Sequence, residues 1–201
     1  KKVYVHDASS WFRSEDGGRS FARAEVKGPG MKEMLKGRLA SPQFQSFVQD
    51  PADAKVFYAG SWSNDEPGTA VFRSTDGGKK WQPSGTGITS RSVDLLRSAA
   101  PGVVFAACGE DGLFRTTDGG KSWSLVRPGK VQDLAVDPGQ PERVYAATEE
   151  GLFRSVDAGV TWNRAGQGLE GDDVAAVAVA RDGQLFAGTV HGVFRSTDGS
   201  A

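Results

Sequence analysis

The sequence lacks most of the residues that would point to metal or redox chemistry. Cys108 is the only cysteine among 201 residues, so neither an internal disulfide nor a cysteine-based metal site can form. The two histidines, His6 and His191, stand without the spaced partner residues of a metal-binding motif. We therefore expect no bound metal and no cofactor.

An excess of one charge and a long apolar run are also missing. The formal net charge is −1, which gives no electrostatic basis for binding nucleic acid or an anionic membrane. No apolar run approaches the length of a membrane span. No signal peptide is evident, and residues 1–3 already begin a strand-like stretch, so we expect a mature or trimmed N-terminus.

What the sequence does contain is a repeated eight-residue pattern, Ser/Thr-x-Asp-x-Gly-x-x-Trp. It is complete at 74–81, 116–123 and 155–162, whereas the copy at 14–21 ends in Phe and a further copy is incomplete at 196–201. A phenylalanine and an arginine precede every copy. The first two copies start 60 residues apart and the others 39 to 42 residues apart. A period of about 40 residues is typical of the four-stranded blades of a β-propeller.

Each copy is predicted to form a self-contained turn between two strands. Its glycines supply positive φ, and its Asp and Ser/Thr side chains can accept hydrogen bonds from backbone N–H groups of the turn. Its Trp is expected to open the next strand and to add a large apolar side chain to the packing. We assign a structural role, and neither catalysis nor metal binding, to Asp16, Asp76, Asp118, Asp157, Asp198, Trp81, Trp123 and Trp162.

The pattern resembles the Asp-box, or bacterial neuraminidase repeat. That repeat is found in sialidases, in xyloglucan-cleaving glycoside hydrolases, in the sortilin luminal domain and in proteins similar to the photosystem II assembly factor. The resemblance covers nearly the whole chain and implies an all-β fold, a β-propeller of four-stranded antiparallel blades. In that family the box is the turn between the third and fourth strands, on the face away from the ligand site. The resemblance also implies an extracytoplasmic location, periplasmic or secreted.

Apolar alternation and turn residues predict one propeller domain over 1–201, with about five blades of strands A to D. The three middle blades are complete, whereas the first lacks strand A and the last lacks strand D. Strand D is predicted over 80–82, 122–126 and 161–164 in the complete blades. We expect the chain to be a fragment of a larger ring, and the resemblance to the family implies about seven blades. The alternative is a closed five-blade ring with two three-stranded blades.

The long first spacing indicates inserted material in the connection from strand D to strand A and in that from strand B to strand C. Both insertions lie on the face opposite the boxes, because alternate turns of an antiparallel meander share a face. The insertion at 27–40 carries Met31, Met34 and Leu35 on one side of a predicted short helix. It is interpreted either as a helix packed on the ring or as a lid or docking element. Inserted loops on a rigid scaffold often bind ligands, so this face is the candidate site.

Polar side chains in the B–C loops of this face allow two interpretations. Glycosidases use two carboxylates about 5 to 10 Å apart, and carboxylates from different blades could converge. Residues 1–13 resemble a stretch of xyloglucan-cleaving enzymes in which a catalytic Asp follows strand B, although the glycines that follow this Asp in that family are absent here. The candidate catalytic residues are Asp7, which matches that position, and Asp65, Glu66, Glu110 and Asp111.

Three functional hypotheses remain open from the sequence. The leading one is a non-catalytic scaffold that binds a protein or a glycan through the face opposite the boxes. The alternative is a glycoside hydrolase, xyloglucanase-like or sialidase-like, or a fragment of one. The third is a structural subunit of a larger assembly that binds no ligand. No recognisable catalytic set accompanies the regular repeats, which favours the scaffold.

Overall fold

The structure is a computed structural model that describes residues 3–6, 11–14, 19–20, 22–24, 44–62, 68–78, 80–169 and 171–196. The predictions for the 27–40 insertion and for Asp7, Asp16, Asp65, Glu66 and Asp198 lie outside these residues. The regular secondary structure of these residues is almost entirely β-strand. Their one helical segment is a short 3₁₀ turn, Gly109–Asp111.

The strands form five antiparallel sheets, which we number as blades I to V. Blade I contains β1 (Val3–His6), β2 (Trp11–Ser14) and β3 (Ala22–Ala24). Blade II contains β4 (Phe44–Gln49), β5 (Phe57–Ser61), β6 (Val71–Ser74) and β7 (Gln82–Pro83). Blade III contains β8 (Leu95–Ala100), β9 (Val103–Ala107), β10 (Leu113–Thr116) and β11 (Ser124–Arg127). Blade IV contains β12 (Asp133–Val136), β13 (Val144–Thr148), β14 (Gly151–Ser155) and β15 (Asn163–Ala165), and blade V contains β16 (Val174–Val179), β17 (Leu185–Thr189) and β18 (Gly192–Ser196).

Each sheet is a meander in which every strand pairs with its neighbour in sequence. Blades II, III and IV have four strands, whereas the described parts of blades I and V have three. The predicted fold class, with incomplete first and last blades, is therefore confirmed for the described residues. The first strands of adjacent blades lie against each other in chain order, β4 with β8, β8 with β12 and β12 with β16. This order places strand A on the inner side of the propeller and strand D on the outer side.

The core consists of apolar layers between successive blades. One layer lies between blades II and III, one between III and IV, and one between IV and V. The second strands contribute small residues to these layers, such as the fully buried Ala106 and Ala146. Small side chains at these positions let neighbouring sheets approach closely. At Gly60 of β5, an added Cβ would lie 2.7 Å from Val93 Cγ1 and 3.0 Å from the Val93 carbonyl oxygen, so a methyl group there would force Val93 to shift.

The predicted start of strand D is wrong in all three complete blades. The strand begins one residue after the box tryptophan, at Gln82, Ser124 and Asn163. The tryptophan belongs to the turn instead of opening the strand. In blade III the backbone N–H of Trp123 donates to the carbonyl of Thr86 in the preceding connection, so it is not available to the ladder of its own sheet.

Candidate functional site

The Asp-box of blade III shows how the carboxylate is used within the turn. The Thr116 hydroxyl donates to Asp118 Oδ1 at 2.8 Å and accepts the N–H of Gly120 at 2.9 Å. Asp118 Oδ1 also accepts the N–H groups of Lys121 and Ser122, and its Oδ2 accepts the Ser122 hydroxyl at 2.6 Å. The hydrogen bonds from Ser122 are the main reason that the pKa of Asp118 lies well below its ordinary value. The carboxylate of Asp118 is therefore ionised and accepts several hydrogen bonds from its own turn.

The box of blade IV repeats this geometry with different residues. The Ser155 hydroxyl donates to Asp157 Oδ1 at 2.7 Å and accepts the N–H of Gly159 at 2.7 Å. The Thr161 hydroxyl donates to Asp157 Oδ2 at 2.6 Å, and hydrogen bonds from Thr161 are the main cause of the lowered pKa of Asp157. Ala158 stands where the other complete boxes have glycine, and its φ is 58°. The turn thus keeps its shape with a strained residue.

The boxes of blades III and IV also join their blades to the preceding blade. Trp123 is buried, and its indole N–H donates to the Ser84 carbonyl in the connection from blade II at 2.6 Å. The Ser84 hydroxyl in turn donates to the Gly120 carbonyl at 2.7 Å. In blade IV, Trp162 packs edge-on against Phe105 of blade III, with 6.5 Å between ring centroids. The tryptophans of these two boxes are therefore occupied by contacts between blades, whereas Val156 and Val160 of the blade IV box are exposed.

The opposite face, here called the loop face, consists of the connections from B to C within a blade and from D to A between blades. Its described segments are 62, 68–70, 84–94, 108–112, 128–132, 149–150, 166–169, 171–173 and 190–191. Segment 84–94 is joined by backbone hydrogen bonds to Ser61, at the end of β5, and to segment 68–70. The Val93 N–H donates to the Ser61 carbonyl at 3.1 Å, and the Gly68 N–H donates to the Ser90 carbonyl at 3.2 Å.

Trp62 is the most conspicuous residue of the loop face. It follows β5 directly and forms an isolated antiparallel bridge with Ser92. Its side chain is 54% exposed, whereas the box tryptophans Trp81 and Trp123 are only 4% exposed. A fixed backbone with an exposed indole is suited to binding, because little conformational freedom is lost on contact.

Carboxylates follow Trp62 along the loop face. The Ser92 hydroxyl donates to Asp94 Oδ1 at 2.6 Å, which orients that carboxylate. Glu110 and Asp111 are exposed in the 3₁₀ turn. Between them and the sheet lies Cys108, which is buried, and burial together with the negative charges of Asp94 and Asp111 raises its pKa to about 12. At neutral pH this thiol is protonated and is unsuited to act as a nucleophile.

Ion pairs dominate the loop face between blades III, IV and V. Lys130 Nζ lies 3.0 Å from Glu149 Oε1, and a hydrogen bond from Lys130 to this carboxylate is the main cause of its raised pKa. The largely buried Arg127 pairs with Glu150 at 3.4 Å and stacks over the Phe153 ring at 4.2 Å. Its guanidinium therefore has a structural position beneath the surface.

The predicted catalytic candidates are only partly brought together by the described structure. Glu110 and Asp111 are consecutive residues of one turn, while Asp7, Asp65 and Glu66 are not described. Trp62 and Asp94 were missed by reasoning from the sequence. The available signal for Trp62 was a tryptophan outside the box pattern, a few residues after a predicted second strand. Within the described residues, no group of His, Cys, Asp and Glu side chains is arranged to hold a metal ion, and no helix is long and apolar enough to cross a membrane.

The fold and its turns thus define a β-propeller in which Asp-boxes form the turns between the third and fourth strands of the complete blades. The model of the BNR/Asp-box repeat matches residues 114–125, which include the box of blade III. No curated protein sequence matches the chain. The match to the repeat and the geometry of the boxes agree with the resemblance that the sequence shows.

Solved structures with the same fold include both enzymes and binding proteins. The chain is 17% identical to the GH74 xyloglucanase from Xanthomonas campestris, with a TM-score of 0.67. The match covers 98% of this chain and 34% of the xyloglucanase. It is 16% identical to YCF48 bound to D1 peptide, with a TM-score of 0.62. This match covers 98% of this chain and 62% of the YCF48 chain. It is 12% identical to the extracellular domain of a hybrid two component system protein from B. thetaiotaomicron, with a TM-score of 0.68. This match covers 97% of this chain and 26% of the extracellular domain. The chain therefore spans less than two thirds of the length of these proteins, and the likeness concerns the fold.

Proposed function

We propose that the protein is a non-catalytic β-propeller scaffold that binds a protein or glycan partner through its loop face. The observation that carries this proposal is the exposed indole of Trp62 on a backbone held by the 84–94 segment. Tryptophan is enriched among residues that dominate binding energy, because it offers a large and rigid contact area. On the box face, the carboxylates of blades III and IV bond their own turns and Trp123 bonds the preceding blade, and the exposed apolar side chains there are the smaller Val156 and Val160.

A glycoside hydrolase, xyloglucanase-like or sialidase-like, or a fragment of one, is the second candidate. The specific observation that favours it is the fold similarity to GH74 enzymes. Its two carboxylates would come from the set Asp7, Asp65, Glu66, Glu110 and Asp111. A pair that acts across a glycosidic bond needs a separation of about 5 to 10 Å between carboxyl groups.

A combined hydrolysis and binding screen separates the two functions. The protein is incubated with xyloglucan, other β-glucans and sialosides, and release of reducing ends or of sialic acid is measured. Binding to the same glycans and to peptide arrays is measured in parallel. We expect binding without turnover, and weaker binding by Trp62→Ala.

The matched control is Val160→Ala. Val160 is 58% exposed in the box of blade IV, on the opposite face, so this variant also removes exposed apolar surface but leaves the loop face intact. Turnover that is abolished by Asp7→Asn, or by Glu110→Gln with Asp111→Asn, would establish the hydrolase instead. Binding that is unchanged in Trp62→Ala but lost on deletion of 28–37 would move the site to the inserted segment.

We also propose an extracytoplasmic location and membership of a larger assembly. The fold similarity to an extracellular domain supports the first proposal. Fractionation of the source cells with an antibody to the chain tests the location, and recovery in the cytoplasmic fraction alone would contradict it. Crosslinking followed by mass spectrometry tests for assembly partners. Crosslinks from the loop face to a second protein are the expected result.

A further inference from the structure

We infer that the loop face around Trp62 recognises a cationic side chain, arginine or lysine, in an exposed segment of a protein partner. This inference rests on the proposed binding function and specifies the partner. The surface concerned is formed by Trp62, Asp94, Glu110 and Asp111, and we call it the indole–carboxylate surface. It joins blades II and III on the side of the propeller that the boxes leave free.

Short contacts join the segments that carry these four residues. Ser92 bridges to Trp62 through its backbone and donates its hydroxyl to Asp94 Oδ1 at 2.6 Å. The Asp94 N–H donates to the Ala107 carbonyl at 2.9 Å, which ties this residue to strand β9. A Cβ on Gly109 would lie 3.5 Å from Asp94 Oδ2, so the carboxylate stands over the start of the 3₁₀ turn. Glu110 and Asp111 follow in that turn.

The carboxylates of this surface differ from those elsewhere on the loop face. Glu149 and Glu150 are paired with Lys130 and Arg127. Within the part of the chain that the structure describes, no ion pair involves Asp94, Glu110 or Asp111, and all three are exposed.

The nearby basic groups do not cancel this charge. Arg91 precedes Ser92, and Lys130 interacts electrostatically with Glu110 but is paired with Glu149 at 3.0 Å, so the carboxylates remain in excess. The field at the surface therefore attracts cations.

The chemistry of an indole beside unpaired carboxylates favours a cation over a neutral ligand. The face of an indole ring carries negative charge density and attracts ammonium or guanidinium groups. The carboxylates attract the same groups, and arginine can contact an oxygen and stack on the ring at once. Ser92 bonds Asp94 Oδ1, and among the described residues no hydrogen bond reaches Oδ2, which leaves this oxygen for the contact. A neutral sugar could stack on Trp62 but would gain nothing from the net negative charge, and a phosphate or sulfate group would be repelled.

Two matched peptides test the inference on the intact chain. The first is an N-acetylated, C-amidated peptide of alternating glycine and arginine, and the second replaces each arginine by citrulline, which has nearly the same shape but no charge. Binding is measured by fluorescence anisotropy. We expect the arginine peptide to bind about tenfold more tightly than the citrulline peptide, and Trp62→Ala to weaken its binding about tenfold. Affinity should fall as ionic strength rises from about 0.05 to about 0.5 M.

Charge variants separate the surface from general electrostatics. Asp94→Asn and the double variant Glu110→Gln, Asp111→Asn should each weaken binding of the arginine peptide several-fold. Glu142→Gln removes one exposed carboxylate from the turn after strand β12, on the box face, and should leave binding unchanged. Equal affinity for both peptides, no binding of either, or an effect of Glu142→Gln as large as that of Asp94→Asn would overturn the inference. Trp62-dependent binding of a neutral glycan without peptide binding would overturn it while leaving the scaffold function intact.

Discussion

Arg97 of strand β8 and Asp133 of strand β12 form an ion pair across the boundary between blades III and IV, with 3.0 Å between Nη2 and Oδ1. Arg97 Nε also donates to the Leu134 carbonyl at 3.0 Å. Asp133 Oδ2 accepts the Val177 N–H of blade V at 3.1 Å. One carboxylate thus connects three consecutive blades along the inner strands.

Asp133→Asn should destabilise the protein by about 1 to 2 kcal/mol. The amide is neutral and has one acceptor oxygen, so it cannot accept from both Arg97 and the Val177 N–H as the carboxylate does. The lower part of this range applies if solvent screens the pair, since the Arg97 side chain is 39% exposed. Urea unfolding followed by circular dichroism measures the change. Glu142→Gln is the control for loss of an exposed charge, and equal stability of the two variants would contradict the inter-blade role of Asp133.

Gly120→Ala and Gly78→Ala compare the same box position in two blades. Their φ angles are 83° and 85°, so both variants carry the cost of a left-handed alanine, about 1 kcal/mol. A Cβ at Gly120 would lie 2.5 Å from the Ser84 hydroxyl and 3.1 Å from Tyr58 Cε1. At Gly78 the nearest described atom is Trp81 Cζ2 at 3.7 Å.

Gly120→Ala should therefore be less stable than Gly78→Ala by about a further 1 to 3 kcal/mol, because either the Ser84 hydroxyl must turn away and lose its hydrogen bond to the Gly120 carbonyl, or the box of blade III must move away from blade II. Thermal unfolding of both variants tests this difference. Equal losses of stability in the two variants would mean that backbone strain alone causes the loss. The box of blade III would then not be packed tightly against the preceding blade.

Cys108 should not react with a thiol reagent in the folded protein at pH 8. Its side chain is 1% exposed, and burial raises its pKa to about 12, so the thiolate is scarce and inaccessible. Titration with 5,5′-dithiobis(2-nitrobenzoic acid) should give no product over hours in buffer and one thiol per chain in guanidinium chloride. Rapid reaction in buffer would show that the connection over Cys108 opens readily.

Acid should destabilise the protein through the boxes. The pKa of Asp118 and that of Asp157 are lowered in the folded chain by hydrogen bonds from Ser122 and Thr161. Their contribution to stability is therefore complete above the unfolded pKa of about 4 and is lost as pH falls through the lower folded values.

The free energy of unfolding measured between about pH 5 and about pH 2 should fall more steeply in the natural sequence than in the double variant Asp118→Asn, Asp157→Asn. Parallel pH profiles of the two proteins would show that these hydrogen bonds do not favour the charged form.

Much of this fold was determined by the sequence itself. The eight-residue pattern predicted the blades and the turn at each box, because those hydrogen bonds join residues two to four positions apart, as from Thr116 to Asp118. Alternating apolar residues predicted the strands to within a few positions. The missing strands at both ends of the described fold were also visible in the pattern.

The contacts between blades were decided only by the tertiary structure. Trp81 donates its indole N–H to Gly78 of its own box, whereas Trp123, at the same position of the pattern, reaches Ser84 of another blade. The reason is physical: the partner of each group depends on which neighbouring backbone the packing brings within hydrogen-bond distance, and a repeated pattern does not encode that neighbour. The exposure of Trp62 has the same origin, since it depends on how the 84–94 connection crosses between the blades.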